Sequence, residues 1–395
     1  MILKARILMG SDLDTVAGLR AELTHLKTLS EDQARTMPPA FYTSPAFHEL
    51  EKEEIFRKEW ICLGHLGEVS NPGDYFTTEL VDEQLLVTRG QDNTVRVLSN
   101  VCRHRGNIVA EGRGNRSKFT CQYHAWSYGP DGKLLAAPFM DKKKNFDKAA
   151  CRLPELQTEV WNNFIFVNLD GNATPLAERL KGLEPNVKNY HNELRNLLFS
   201  AEEVWNTNWK NLTENFMEGY HLSATHLKTL HEMTPTSLCK KVPGEAGFTA
   251  YRSYFPENFP DRGPYHPDLT EDEKRNTILF CPYPSFVVAV APNYTFYLCL
   301  RPLGPDHVGV RWGVAGFRDD PESAEVQAYV QLVRDVNSED REKLESLQKA
   351  LKTRHFSHGP LAPADYEGTI WDFLLYMAGR LGADVEVDSR SIAAE

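Results

Sequence analysis

The N-terminal part of the chain repeats apolar positions with the period of a helix. Between residues 13 and 29 they recur every three or four residues, which places them on one face. These apolar residues are Val16, Leu19, Leu23, Leu26 and Leu29. Met37-Pro38-Pro39 ends this region, because proline has no N–H group with which to continue a helix. A second short helix is predicted over residues 45–59.

From Trp60 to about Asp170 the pattern changes to short β-branched and aromatic runs, separated by turn residues. The predicted strands are Tyr75–Leu80, Gln84–Arg89, Thr94–Leu98, Lys118–Gln122 and Asn163–Asn168. Such runs predict a compact all-β domain. Its end is predicted near Asp170-Gly171-Asn172, where turn-forming residues cluster.

The rest of the chain mixes both patterns. Helices are predicted over residues 202–232 and 322–351. Strands are predicted at Ser285–Val290, Thr295–Pro302 and Val308–Phe317. This order is typical of an α+β fold, in which helices pack on an antiparallel sheet. The predicted division is N-terminal helices at 1–59 that pack on the last domain, an all-β domain at 60–170 and an α+β domain at 171–395.

Composition narrows the class of protein. The 395 residues are 41% hydrophobic and 25% charged, as in a globular protein. The net charge of −11 argues against nucleic acid or an anionic membrane as the main partner. We find no run of 18 apolar residues, so we expect no membrane span. Residues 1–10 lack the features of a secretory leader, and the unpaired cysteine spacing suits a reducing compartment, so a cytoplasmic location is expected.

Two short motifs supply four possible metal ligands. Cys102-Arg103-His104 is followed, after sixteen residues, by Cys121-Gln122-Tyr123-His124. Each motif offers one thiolate and one imidazole. This is the donor set of a Rieske [2Fe–2S] centre, with two cysteines on one iron and two histidines on the other. A structural Cys2His2 zinc site is the alternative, but zinc motifs usually pair cysteine with cysteine and histidine with histidine.

Residues 205–232 carry a second set of possible ligands. They are Glu214, Glu218, His221, His226 and His231. Two imidazoles and a carboxylate, with coordination positions left open, are a usual site for non-haem Fe(II). His221 and His226 are five residues apart, so they share no face of a regular helix unless a bulge or a helix end lies between them. Spacing alone does not exclude His231.

A carboxylate ligand can be sought in the helix predicted over residues 322–351. Its apolar stripe consists of Val326, Val330, Val333, Leu344, Leu347 and Leu351. Continued in alternating steps of four and three residues, the stripe also passes through Asn337 and Asp340. A carboxylate on the core side of a helix is costly unless it is paired or bound to metal, which makes Asp340 a candidate ligand. The alternative is a helix break near Asn337-Ser338 that leaves Asp340 exposed.

Together the two sites resemble one family, the catalytic α subunits of Rieske non-haem iron oxygenases. Residues 121–128 are similar to the family's C-x-x-H-x-W-x-[FY] run, and residues 208–226 to its N-W-K…E-N…[DE]-x-x-H-x4-H motif. The resemblance covers nearly the whole chain from Phe47 onward. It implies a [2Fe–2S] cluster on Cys102, His104, Cys121 and His124, and a mononuclear Fe(II) on His221, His226 and Asp340. Asp335 and Glu339 are the alternatives to Asp340, and His231 is not a ligand.

The resemblance also implies a role for Glu218. Its position is that of an acidic residue that hydrogen-bonds a cluster histidine of one subunit and an iron-ligand histidine of the next. In this chain it would link His124 to His221. Many members have aspartate there, and the glutamate is shared with members that act on carnitine and glycine betaine.

Partners and activity follow from the same resemblance. No G-x-G-x-x-G motif follows a predicted strand, so electrons are expected from a separate NAD(P)H-dependent reductase or ferredoxin. A homotrimer is expected, with O2 and a small organic molecule as substrates. The expected reaction is monooxygenation or N-demethylation of a quaternary ammonium compound. The alternative is an aromatic ring-hydroxylating dioxygenase. A Rieske electron carrier without catalysis is a third possibility, although more than two hundred residues follow the cluster region.

Eight aromatic residues in the last domain are candidates for lining a pocket. They are Tyr251, Tyr254, Phe255, Tyr283, Phe286, Tyr294, Phe296 and Tyr297. Aromatic faces attract a quaternary ammonium through cation–π interaction, and the same rings would hold a flat aromatic substrate. Each one taken alone is more readily explained by core packing.

Overall fold

The computed structural model describes residues 13–383 of the chain. This part contains two seven-stranded antiparallel sheets and a small three-stranded sheet. The strands of the first large sheet lie between Ile61 and Asn168, and those of the second between Asn196 and Gly316. The predicted α+β fold is therefore confirmed. None of the helices within residues 13–383 has the length and apolar character needed to cross a membrane.

The first large sheet has the order β1-β10-β9-β4-β3-β2-β5, and β6-β7-β8 form the small sheet. The strands are β1 (Ile61–His65), β2 (Asp74–Leu80), β3 (Glu83–Arg89), β4 (Val95–Ser99), β5 (Arg113–Asn115), β6 (Phe119–Thr120), β7 (Ser127–Tyr128), β8 (Leu134–Ala136), β9 (Glu155–Trp161) and β10 (Phe164–Asn168). Predicted strands correspond to β2, β3, β4 and β10. The strand predicted at Lys118–Gln122 is shorter, because the chain turns after Thr120 to form the second ligand loop.

The second large sheet has the order β11-β17-β16-β15-β14-β13-β12. Its strands are β11 (Asn196–Trp205), β12 (Cys239–Glu245), β13 (Phe248–Tyr254), β14 (Asn276–Pro282), β15 (Phe286–Val290), β16 (Tyr294–Gly304) and β17 (His307–Gly316). The three predicted strands correspond to β15, β16 and β17. The helix predicted over residues 202–232 begins inside β11. The acidic residues of this strand pair within the sheet: Glu202 accepts hydrogen bonds from Arg301 of β16 and Arg311 of β17, and Glu203 accepts one from Trp312 of β17.

The helices are α1 (Val16–Leu26), α2 (Ala40–Thr43), α3 (Pro45–Glu51), α4 (Leu176–Arg179), α5 (Glu184–Val187), α6 (Trp209–Phe216), α7 (Leu222–Thr225), α8 (Ala324–Ala350) and α9 (Ala364–Leu381). Helices α6, α8 and α9 pack on the second sheet, whereas α4 packs on β9 of the first. The Thr15 hydroxyl begins α1 by accepting from Gly18 N at 3.0 Å. The helix predicted over residues 45–59 consists of α3 followed by a π-helical turn at Lys52–Phe56. Residues 1–12 of the predicted N-terminal segment lie outside the described residues.

The continuous helix predicted over residues 202–232 is wrong. The chain leaves β11 at Trp205, forms α6, breaks at Met217–Gly219, and then forms the single turn α7. At the break, Gly219 N donates to the carbonyl of Tyr366 at 3.0 Å. A side chain at Gly219 would place its Cβ only 2.3 Å from Cys239 Sγ, so the chain comes too close there for any other residue.

Buried polar contacts hold α6 in place. Lys210 of α6 forms a fully buried ion pair with Glu51 of α3, and the Trp209 indole donates to the same carboxylate at 3.0 Å. Asn211 donates to the Gln348 side chain of α8 at 2.8 Å. Buried charges are costly unless paired, so this arrangement fixes α6 against its neighbours. As a result, the segment after α6 faces the middle of α8.

Candidate metal centres

The first candidate centre lies on two loops of the β-rich part. Cys102 and His104 follow β4, and Cys121 and His124 stand between β6 and β7. The two cysteines are buried, with 3% and 1% of their surface exposed, whereas His104 is exposed. The loops therefore present two thiols to the interior and two imidazoles toward the surface.

Hydrogen bonds at the sulfurs suit thiolate ligands. The Tyr128 hydroxyl lies 3.3 Å from Cys102 Sγ, and Asn107 Nδ2 donates to Cys121 Sγ at 3.8 Å. Burial raises the pKa of the Cys121 thiol, but hydrogen bonds, first from the Tyr123 backbone, outweigh it and bring that pKa below its ordinary value. Donors directed at sulfur stabilise its charged form, which is the form that binds metal.

The two imidazoles of this centre converge. His104 Nδ1 and His124 Nδ1 are 3.1 Å apart. Trp126 stacks on His104, with ring centroids 4.8 Å apart and planes 9° apart. Two buried sulfurs and two converging Nδ1 atoms are the donor set that a Rieske cluster requires, so the side chains fit that group.

The second candidate centre is formed by His221, His226 and Asp340. His226 Nε2 lies 3.2 Å from His221 Nε2 and 3.1 Å from Asp340 Oδ1, and the third distance, from His221 Nε2 to Asp340 Oδ1, is 3.6 Å. The carboxylate side chain is 13% exposed. Three lone-pair-bearing atoms that converge in this way can hold a metal ion, and their chemistry fits non-haem iron.

The local fold explains how residues five apart can meet. His221 and His226 flank α7, a helix of a single turn. Because the helix ends between them, two residues five apart can face the same point. Helix α8 is continuous through Asn337, so the alternative of a break before Asp340 is wrong. His231 is not part of the converging triad.

The outer nitrogen of each histidine, Nδ1, contacts a carboxylate. Glu218 Oε1 contacts His221 Nδ1, while its other oxygen accepts from the backbone N–H of Tyr220 and of His221. Glu339 Oε2 lies 2.8 Å from His226 Nδ1 and accepts from the Thr229 hydroxyl at 2.6 Å. In each imidazole the Nδ1–H can donate to a carboxylate, which leaves the Nε2 lone pair directed at the centre.

Glu339 and Asp335 were the alternatives to Asp340 in the sequence. Consecutive residues of a helix are about 100° apart, so Glu339 reaches the outer side of His226 while Asp340 reaches the inner side. Asp335 accepts from Gln331 at 2.8 Å in an exposed contact. The sequence named Glu339 only as a possible ligand; its contact with the outer nitrogen depends on the packing of α8 against α7.

Replacing Glu339 with glutamine is expected to weaken iron binding by roughly 10–100-fold, because the imidazole of His226 loses its charged acceptor. The dissociation constant measured by competition with an Fe(II) chelator checks this. Glu342→Gln is the matched control, since Glu342 lies on the same helix with its side chain 76% exposed. Equal iron affinity in the two variants would contradict the role of Glu339.

A cavity of about 110 Å³ opens onto the triad. Aromatic rings line it at Phe216, Tyr251, Phe296 and Tyr329. Of the eight predicted aromatics, Tyr251 and Phe296 lie here, and Phe255 and Tyr294 line an adjoining cavity. Tyr283, Phe286 and Tyr297 pack in the cores, and Tyr254 donates to Asp272. Phe216 and Tyr329 were not predicted, although Tyr329 adjoins the apolar stripe of α8.

Comparison with known proteins bears on both centres. Residues 59–154 match the Rieske [2Fe-2S] domain family, and residues 187–382 match the ring hydroxylating alpha subunit (catalytic domain) family. The first match contains the four candidate cluster residues and the second contains the triad. The chain belongs to the Rieske non-haem iron oxygenases. The predicted family is thus confirmed, and the catalytic match argues against a simple electron carrier.

Membership of this family implies a Rieske [2Fe–2S] cluster and a mononuclear iron rather than structural zinc. A carnitine monooxygenase oxygenase subunit from Acinetobacter baumannii is 38% identical over 198 residues. That alignment covers 49% of this chain and 53% of the relative, so the chain spans about half the length of such a relative. The chloroplastic choline monooxygenase of Spinacia oleracea is 27% identical, over 83% of this chain and 74% of the relative.

A solved structure extends the similarity to most of the chain. The crystal structure of the quaternary ammonium Rieske monooxygenase CntA in complex with an inhibitor superposes with a TM-score of 0.79. The two chains are 26% identical, and the superposition covers 89% of this chain and 96% of the other. The chain therefore shares the architecture of that protein over most of its length.

Proposed function

We propose that this oxygenase is the catalytic component of a system that uses O2 to oxidise a quaternary ammonium compound. The observation that carries the substrate class is the character of the cavity at the triad. Aromatic rings line it, and among its lining residues Asp340 is acidic whereas lysine and arginine are absent. Such a cavity suits a cation surrounded by methyl groups.

The charges behind the cavity support the same substrate. Glu218 and Glu339 contact the two histidines, and Asp340 lies between those histidines. Together the three carboxylates offset the charge of a divalent ion and leave the surroundings negative. An ammonium group approaching the centre is therefore attracted, whereas a neutral aromatic ring gains nothing from this charge.

The roles of the side chains follow from their positions. We assign Cys102, His104, Cys121 and His124 as the ligands of the cluster. His221, His226 and Asp340 are assigned to the iron. When bound, the two groups supply electron transfer and O2 activation. The protein orients the imidazoles, holds the substrate in an apolar cavity and keeps the thiols away from solvent.

We infer a homotrimer in which Glu218 of one copy links its own His221 to His124 of the next copy. Glu218 contacts His221 of its own chain. His124 Nε2 makes no hydrogen bond with any residue between 13 and 383, and that histidine is partly exposed. A neighbouring copy could therefore bring its Glu218 to His124. Electrons would enter from a separate NAD(P)H-dependent reductase or ferredoxin.

We propose three segments for the chain: N-terminal helices at 1–59 that pack on the catalytic domain, a Rieske domain at 60–170 and a catalytic domain at 171–395.

Iron content and a substrate panel test the proposal. The purified protein is expected to hold about three irons per chain, two in the cluster and one at the triad. With a surrogate reductase and O2, uptake of O2 is expected to rise with carnitine, glycine betaine or choline and to yield an amine or formaldehyde. About two irons per chain would indicate an electron carrier, and a cis-diol formed from an aromatic acid would indicate a ring-hydroxylating dioxygenase.

A further inference from the structure

The cavity at the triad, called here the inner cavity, adjoins a larger outer cavity of about 540 Å³. Four residues line both: Met233, Thr277, Tyr329 and Leu332. Tyr329 stacks on Tyr294 of the outer cavity, with centroids 4.3 Å apart. A molecule longer than a trimethylammonium group would therefore extend from the inner cavity into the outer one.

The two cavities differ in charge. The outer cavity has two cations among its lining residues, Arg262 and Arg318, and one anion, Glu325. Arg318 donates to both oxygens of Glu325 at 3.0 Å, so these two charges offset each other. No carboxylate between residues 13 and 383 lies within ion-pair distance of Arg262. The outer cavity thus keeps one cation without an anionic partner.

Backbone hydrogen bonds hold the segment that carries Arg262 beside the outer cavity. Its N–H donates to the Tyr265 hydroxyl at 2.8 Å, and its carbonyl accepts from Asn293 at 3.1 Å. The guanidinium lies over the Phe259 ring, 4.6 Å from its centroid. Burial raises the pKa of Tyr329 to about 12, and Arg262 is among the cations close enough to oppose that rise. Arg262 is exposed, so its guanidinium is open to a ligand in the outer cavity.

We propose that Arg262 binds an anionic group at the far end of the substrate, so that the preferred substrate is a quaternary ammonium carboxylate rather than a quaternary ammonium alcohol. The ammonium end occupies the aromatic inner cavity, and the carboxylate lies in the outer cavity beside Arg262. A guanidinium offers paired N–H donors that match a carboxylate. The inference rests on the proposed function, because it requires the ammonium end to be held at the triad.

Two ligands of equal chain length test this. γ-Butyrobetaine ends in a carboxylate, and (4-hydroxybutyl)trimethylammonium ends in an alcohol. Calorimetric dissociation constants and KM values are measured for both with the iron-loaded protein. The wild-type protein is expected to favour the carboxylate by about fivefold, the upper end of the range for an exposed ion pair. Arg262→Gln is expected to remove that preference, through affinity and KM rather than kcat, and to leave binding of the alcohol unchanged.

Arg262→Lys and the double variant Arg318→Gln/Glu325→Gln complete the experiment. Lysine keeps the charge and should retain part of the preference, whereas the double variant should retain most of it because it removes two charges that offset each other. Equal affinities for the two ligands in wild type, or a preference lost only in the double variant, would overturn the assignment to Arg262 while the proposed function stands. Failure of the wild-type protein to bind or oxidise either ligand would overturn both.

Discussion

Replacing Asp340 with alanine is expected to remove the mononuclear iron and leave the cluster intact. Asp340 Oδ1 lies 3.1 Å and 3.6 Å from the inner nitrogens of His226 and His221, and it is the one anion of the triad. Without it, two neutral imidazoles must hold a divalent ion in a cavity otherwise lined mainly by apolar groups. Iron content should fall from about three to about two per chain. Turnover should fall more than about a hundredfold, since losing even a hydrogen-bond partner of a ligand costs 10–100-fold.

The spectrum of the reduced cluster separates this outcome from misfolding, because an intact Rieske signal shows that the β-rich part has folded. Asp335→Ala is the matched control. It removes a carboxylate from the same helix, but one that makes only an exposed contact with Gln331. If Asp335→Ala loses the iron and Asp340→Ala keeps it, the assignment of the third ligand is wrong.

Replacing Glu218 with glutamine is expected to preserve both metal centres and to slow turnover by roughly 10–100-fold. The amide keeps the size of the side chain and can still accept from the backbone N–H of Tyr220 and His221. It lacks the negative charge that orients His221 and, in the proposed oligomer, links it to His124 of the next copy. The rate at which a pre-reduced cluster is oxidised in the presence of substrate and O2 measures this loss directly.

Glu232→Gln is the control for this variant, because Glu232 is exposed in the same segment of the chain. Iron content distinguishes the possible outcomes. Slow cluster oxidation with three irons retained supports a role in electron transfer, whereas loss of iron would show that Glu218 only supports the ligand His221. Full activity in Glu218→Gln would refute the bridge.

The predicted ligand residues followed mainly from short spacings along the sequence. Cys102 and His104 lie on one tight loop and Cys121 and His124 on another, so their separation along the chain limits their separation in space. The stripe of α8 likewise identified Asp340 as a carboxylate on the inward side of a helix, because a helix repeats every 3.6 residues whatever surrounds it.

The helix predicted over residues 202–232 failed for a physical reason. Its polar and apolar spacing suits a helix, but tertiary contacts break it. Gly219 is held by the carbonyl of Tyr366 and pressed against Cys239, and β11 is stabilised by pairing with β17. Neither contact is visible from local propensity, because both partners are distant in the chain.

The sequence was enough to establish the family, the two sets of possible ligands and the α+β arrangement, because these depend on residue type and short spacing. Tertiary structure decided the remainder. It placed Glu339 at the outer nitrogen of His226 and Asp340 at the inner nitrogen. It also joined the inner and outer cavities at Tyr329 and left Arg262 without an anionic partner among the described residues. Each of these depends on how α7, α8 and the second sheet pack, and packing brings together residues whose separation in sequence carries no signal.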